Sequence, residues 1–250
     1  MGVLQDKVII ITGATRGIGK AIARSFYNES SKLALCSRNE AVLIEEVEKL
    51  HKLRSDQLIY AVCDTSKYDE VHSFIKKVYD AYGRIDVLVN NAGIGIFGKV
   101  ESFDIFDWQK VMDVNFNGCF YFCHDVIPIL RENKSSPKGY IFNIGSISSK
   151  LVVEGNSAYS SSKAALKAFS DHLYNELRGS DIQVSYLTVG SVDTTFSMRN
   201  VDETGWKIKP GDIGKIVLQM ASLAYSGISC CITDVEIRTK YPIRREFYKE

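Results

Sequence analysis

Short apolar runs and longer amphipathic stretches alternate along this chain from one end to the other, and that alternation leaves few architectures open. The runs at 7–12, 32–37, 58–62, 85–90, 140–144, 182–187 and 230–237 read as strands. Between them, 17–29, 40–53, 68–82, 106–131, 157–178 and 210–223 read as helices. Most of the strands are continuously apolar, the pattern of a strand covered on both faces and hence of a parallel sheet. Helices regularly interposed between such strands predict an α/β fold. The expected form is a doubly wound parallel sheet of about seven strands with helices on both faces and right-handed crossovers. No repeat, linker or low-complexity segment breaks the pattern, and 133–139 reads as a polar loop. Residues 1–250 are therefore expected to form one domain.

The first strand runs directly into Thr12-Gly13-Ala14-Thr15-Arg16-Gly17-Ile18-Gly19, followed by a helical stretch. Strand, glycine-rich turn and helix is the Rossmann-like arrangement for holding a pyrophosphate. The glycines let the backbone approach a phosphate, and the helix behind offers free N–H groups and a partial positive charge. The spacing is Gly-x-x-x-Gly-x-Gly, which differs from the common Gly-x-Gly-x-x-Gly dinucleotide pattern.

A second motif, Tyr159-Ser160-Ser161-Ser162-Lys163, opens the stretch 157–178. Tyr159 and Lys163 are four residues apart and share a helix face. A nearby ammonium favours the phenolate and makes the phenol a usable proton donor or acceptor. Ser146 follows the strand 140–144, at the end of the sheet where parallel strands hold ligands, and its hydroxyl could donate to a substrate oxygen. Ser148 and Ser149 compete for that role. Asn90-Asn91-Ala92-Gly93 lies at another such strand end.

Taken together, these motifs resemble the short-chain dehydrogenase/reductase family in its single-domain branch, over essentially the whole chain. The resemblance assigns Thr12, Gly13, Thr15, Arg16, Gly17, Ile18 and Gly19 to the cofactor turn. It assigns Asp64 to the adenine and Asn91, Ala92 and Gly93 to the Asn-Asn-Ala-Gly element. It implies a catalytic set of Asn115, Ser146, Tyr159 and Lys163, with Asn117 competing for the place of Asn115. In that scheme hydride passes between nicotinamide and a carbonyl or secondary alcohol. Tyr159 acts as the acid/base, Ser146 orients the oxygen, Lys163 holds the ribose, and Asn115 supports a water relay. Gly190, Val192 and Thr194 are expected to meet the carboxamide. Val189 stands where the family usually has proline, so a less rigid loop is expected there. The charged tail beyond Arg238 also departs from many members and resembles some NADP(H)-dependent carbonyl reductases.

The expected cofactor is NADP(H). An NAD-preferring site usually ends its second strand on a carboxylate that binds the ribose hydroxyls. Here that place holds Cys36-Ser37-Arg38. Arg38 offers a fork of donors to a 2′-phosphate, Ser37 adds a hydroxyl, and Arg16 a second cation. The expected substrate is a small carbonyl or alcohol with an apolar part, a ketone or a 3-oxoacyl-type carbonyl. The segments 94–97, 150–154 and 195–206 would line its pocket with Ile94, Ile96, Phe97, Leu151, Val152, Val153, Phe196, Met198 and Trp206, and Arg199 and Glu154 are at hand for a polar group. The alternative is a regulatory or scaffold protein that binds the cofactor and turns over little.

The remaining composition narrows the partners. Lys and Arg number 31 against 30 Asp and Glu, so no global field points to nucleic acid or an anionic membrane. No apolar stretch approaches the ~20 residues of a membrane span. The chain reaches its first strand by residue 7 without a leader-like pattern, so a cytoplasmic location is expected. The six cysteines read as free thiols, and the four histidines make no paired set, so no metal is expected. The stretch 106–131 is apolar on more than one side and needs a second cover. With the family resemblance, that implies a homodimer or homotetramer pairing through this stretch and 157–178.

Overall fold

The computed structural model describes residues 2–51, 58–197 and 205–240. Seven strands form one parallel sheet: β1 (Val8–Thr12), β2 (Lys32–Ser37), β3 (Leu58–Val62), β4 (Val87–Asn90), β5 (Gly139–Ile144), β6 (Ile182–Val189) and β7 (Asp234–Ile237). Their order across the sheet is β3-β2-β1-β4-β5-β6-β7, with every neighbouring pair parallel. The helices are α1 (Gly17–Asn28), α2 (Glu40–His51), α3 (Tyr68–Tyr82), α4 (Ile105–Met112), α5 (Gly118–Glu132), α6 (Ser157–Leu177) and α7 (Pro210–Tyr225).

The continuous apolar strands have the cause expected of them. In β1, Ile9 and Ile11 pack into a core with α1, α2 and α7, while Val8 and Ile10 pack into a second core with α3, α5 and α6. Side chains alternate between faces and each face is covered, so no position of β1 can be polar until Thr12 at its end. The strand order reverses between β1 and β4. In a doubly wound sheet the crevice for ligand opens at such a reversal.

Two elements differ from the sequence reading. The last strand begins at Asp234 rather than at residue 230. Ahead of it the chain meets β6 through side chains: the Ser185 hydroxyl takes the Ile232 carbonyl, and Cys231 Sγ lies 3.8 Å from the Val184 carbonyl. Backbone pairing with β6 begins only at Thr233, whose carbonyl accepts from the Tyr186 amide at 2.9 Å. The stretch expected as one helix over 106–131 is divided by a π-helical turn, Asp113–Asn117, between α4 and α5. A π turn carries one residue more than an α turn. Here it turns Asn115 inward, and Gly118 just beyond it presses against Thr65, where a Cβ would come within 2.6 Å of the Thr65 carbonyl.

Candidate active site

A cleft of about 1300 Å³ runs across the C-terminal ends of β1, β4, β5 and β6. One half is built by the turn after β1. There Thr12 Oγ1 accepts from the amides of Asn91 (3.0 Å) and Ala92 (2.9 Å), and Asn91 Nδ2 donates to the carbonyls of Thr12 (2.9 Å) and Gly13 (3.1 Å). The turn after β1 and the turn after β4 are thus one hydrogen-bonded unit across the sheet reversal. Gly13 and Gly17 sit at φ of 64° and 53°, a region costly for other residues. A Cβ on Gly13 would also lie 3.0 Å from the Ala92 backbone. Thr12 and Gly19 stand behind the cleft wall, where a Cβ on Gly19 would overlap the Asn91 amide and the Gly13 carbonyl.

The first amides of α1 are left for a ligand. Arg16 precedes the helix in extended conformation, no side chain caps it, and its first turn carries no acid. That is the arrangement for an anion. Thr15 and Ser37 bring their hydroxyls within 3.3 Å of each other, and Arg38 lines the wall beside them. Arg16 reaches across to Thr195 Oγ1 at 3.5 Å. One oxygen of the Asp64 carboxylate accepts from the Ser66 hydroxyl (2.8 Å) and amide (3.1 Å), and its neighbours Cys63 and Thr65 line the wall. Burial pushes the Asp64 carboxyl up, but the Ser66 bonds and the Arg38 charge outweigh it and hold the group below the usual carboxylate range.

In the other half, β5 and α6 bring Ser146, Tyr159 and Lys163 together. Ser146 Oγ accepts from the Ser148 amide at 3.1 Å and faces the Tyr159 phenol. The competing serines are engaged elsewhere, Ser148 with Asn156 at 3.2 Å and Ser149 with the Ser146 carbonyl at 2.8 Å. Asn115 is fully buried and pairs with both backbone groups of Ile94, accepting from N at 2.8 Å and donating to O at 2.9 Å. Its amide also donates to Ser162 Oγ at 3.0 Å, and Ser162 donates to the Tyr159 carbonyl at 2.7 Å. Asn117 bonds back to Asp113 at 2.7 Å within its own helix, so of the two asparagines only Asn115 faces the site.

The electrostatics depart from the expected phenol–ammonium pairing. Lys163 is buried, its Nζ donates to the Ile144 carbonyl at 2.9 Å, and it stands 5.9 Å from the centre of the Tyr159 ring. Burial lowers the Lys163 pKa. Burial also pushes the Tyr159 phenol up to about 12, against the smaller opposite pull of the Ser146 hydroxyl. The expected depression of Tyr159 by Lys163 is not set up by these contacts alone.

The loop after β6 is held without the proline. Gly190 N donates to the Ile237 carbonyl at 2.9 Å, and Val192 pairs with Ile208, where Asp193 N and Ile208 N each make a 2.9 Å bond. Thr194 packs its methyl over Gly17, and its hydroxyl accepts from the Phe196 amide at 3.3 Å. Around Tyr159 stand Phe196 and Phe97, with ring centres at 5.5 and 6.2 Å. Phe97, Val153, Glu154, Phe196 and Trp206 line the cleft, whereas Ile94, Ile96, Leu151 and Val152 do not, Val152 being wholly exposed. Met198 and Arg199 lie outside the described residues, as do Leu53 and the tail from Tyr241. Sequence reasoning missed Ser162, although it lies inside the Tyr159–Lys163 motif, and Tyr186, whose signal was the one aromatic of its strand.

The family model described as short chain dehydrogenase matches residues 7–205. The chain belongs to the short-chain dehydrogenase family. An uncharacterized oxidoreductase of Staphylococcus saprophyticus is 33% identical over 219 residues, which is 86% of this chain and 91% of that one. Among solved structures, an alcohol dehydrogenase from the archaeon Thermococcus sibiricus complexed with 5-hydroxy-NADP superposes with a TM-score of 0.85 at 28% identity, covering 95% of this chain and 98% of that one. A metagenomic short-chain oxidoreductase in complex with NADP superposes at 0.82 with 28% identity, covering 96% and 100%. The chain is thus an oxidoreductase of this family, with the family's seven-stranded sheet. Among the described residues no helix is long and apolar enough to cross a membrane.

Proposed function

We propose that the protein is an NADP(H)-dependent oxidoreductase that reduces a carbonyl group, or oxidises the matching secondary alcohol, on a substrate with an apolar part. The observation that carries this reading is the convergence of Ser146, Tyr159 and Lys163 beside a glycine turn with an open helix N-terminus. The residues present suit a phosphorylated dinucleotide. Gly13 and Gly17 let the backbone approach, the α1 amides take the pyrophosphate, and Arg38 with Ser37 and Arg16 would bind the 2′-phosphate. Two structural relatives carry NADP or its 5-hydroxy derivative, which supports the same choice.

When bound, NADPH would supply the hydride. The chain supplies the rest. Tyr159 is held protonated at neutral pH, so it can donate to the oxygen of a carbonyl undergoing reduction. Ser146 would donate to the same oxygen and fix its orientation. Lys163 would bind the nicotinamide ribose and stabilise the phenolate left on Tyr159. Asn115, tied to Ile94 and through Ser162 to the Tyr159 backbone, would hold the α5 side of the site against α6. Gly190, Val192 and Thr194 would meet the carboxamide, and Phe97 and Phe196 would exclude water around the phenol.

Residues 1–250 would act as one domain, as a homodimer or homotetramer in the cytoplasm. The exposed ring of Phe120 on α5, edge-on to Phe169 of α6 at 6.1 Å, favours pairing through those helices. Mixing the protein with NADPH and a panel of aryl, alkyl and 3-oxoacyl carbonyls, while following nicotinamide absorbance, tests the activity. Absence of turnover with an intact NADPH-binding site would favour the scaffold alternative.

A further inference from the structure

Tyr186 in β6 is fully buried beneath the site, and its phenol touches the backbone of two site residues at once. Its Oη donates to the Lys163 carbonyl at 3.1 Å and accepts from the Ser146 amide at 3.4 Å. Lys163, at its other end, donates from Nζ to the Ile144 carbonyl at 2.9 Å. The end of β5 and the start of α6 are therefore joined twice, once by the Lys163 ammonium and once by the Tyr186 hydroxyl.

Packing alone does not account for that hydroxyl. A phenylalanine would fill the same volume, and burying a hydroxyl is unfavourable unless its bonds are made. The surroundings are also cut to fit the phenol. A Cβ on residue 145 would overlap Cζ and Oη of Tyr186, so the position between Ile144 and Ser146 is open to the ring only because it is glycine. The Gly145 amide in turn donates to the Leu187 carbonyl at 2.8 Å, one residue along β6. Burial pushes the Tyr186 phenol up, so it remains a neutral donor at ordinary pH.

We propose that Tyr186 is a positioning residue: its phenol fixes the backbone of Ser146 to that of Lys163 and so sets the spacing of the Ser146 hydroxyl, the Tyr159 phenol and the Lys163 ammonium. This rests on the oxidoreductase reading given above. Tyr186 does not line the cleft and acts through the backbone groups it holds. Gly145 is the other half of the device, since it gives the ring its place.

The test is Tyr186→Phe in the full chain, which keeps the ring and removes both bonds. The expected result is a fall in kcat of about tenfold, because small displacements of reacting groups are costly. KM for NADPH should stay within about twofold and the fold should be retained, since the turn after β1 is untouched. A kcat within twofold of the starting protein overturns the proposal. So does a fall in kcat matched by an equal loss of NADPH binding, which would mean general loosening. A second arm needs no turnover: tyrosine labelled with 13C at Cζ, with Tyr159→Phe assigning its resonance. In Tyr186→Phe the Tyr159 signal should move as the Ser146 hydroxyl shifts away from it, and an unmoved signal overturns the proposal. If the unsubstituted protein reduces no carbonyl, the oxidoreductase reading fails, while the NMR arm still decides whether Tyr186 sets the Ser146–Tyr159 geometry.

Discussion

The two halves of the cleft are made in different ways. The half after β1 and β4 presents backbone: the side chains of Thr12 and Asn91 turn inward and bond to the main chain of Thr12, Gly13, Asn91 and Ala92 across the sheet reversal. The half around Tyr159 is a side-chain structure, with Phe97, Val153, Phe196 and Trp206 contributed by loops that differ in exposure. The first half is suited to a ligand that does not change. The second can be re-lined without disturbing the sheet, so substrate choice can vary while the cofactor stays.

Substitutions that act on one half and spare the other would sharpen this division. The largest effect is expected for Tyr159→Phe, which removes the proton donor and keeps the ring. Turnover should fall by roughly 10²–10⁴, while the affinity for NADPH, measured by fluorescence titration, remains close to the starting value. A mutant with near-normal turnover would remove Tyr159 from the chemistry. Next is Gly19→Ala, which forces a methyl into the Asn91 amide and the Gly13 carbonyl. Overpacking of that kind costs roughly 1–3 kcal/mol, so thermal denaturation should show a melting point lowered by several degrees together with weaker NADPH binding. If stability and binding separate in this variant, the two turns are not one unit.

Arg38→Ala should be smaller and more selective. Loss of one charge-assisted phosphate contact should weaken NADPH by about tenfold, or ~1.4 kcal/mol, and leave NADH nearly unchanged. Equal affinity of the unsubstituted protein for the two cofactors would end the NADP(H) assignment. Phe97→Ala is expected to raise KM for an apolar ketone severalfold with no change in NADPH affinity, since this ring borders the phenol and not the turn. The smallest effect belongs to Val152→Ser. This side chain is wholly exposed and outside the cleft, and steady-state kinetics should not register it unless the loop closes over substrate.

The same division explains what could be read from the sequence. The sheet and its order of elements were legible because each strand buried on both faces must be continuously apolar, as in Ile9, Ile10 and Ile11. Tyr159 and Lys163 were legible because a helix spacing of four is local. Asn115 was reached only by family resemblance, since its inward direction depends on a π turn that apolar periodicity does not reveal. The position of the ammonium was out of reach for a similar reason: spacing brings Lys163 and Tyr159 to one face, but the Ile144 carbonyl, on another element, is what Lys163 Nζ bonds to. Asp64 follows β3 as read, but the bonds that one of its oxygens takes from Ser66 leave no mark in the apolar pattern. Loop side chains at 94–97 and 150–154 could not be sorted into lining and exposed ones, because their surroundings come from other loops.

The π turn Asp113–Asn117 has a consequence for how this gene can change over time. One residue more or fewer in a helix rotates everything beyond it by about 100°. Upstream of the turn Val111 faces the core, and downstream Phe122, Val126 and Leu130 do. Both sets are in phase only with the extra residue in place. A deletion that tidied the segment into an ordinary α-helix would turn either the apolar face of α5 or Asn115 away from its partners. Drift can thus replace many side chains between residues 105 and 132, but it cannot change their number by one.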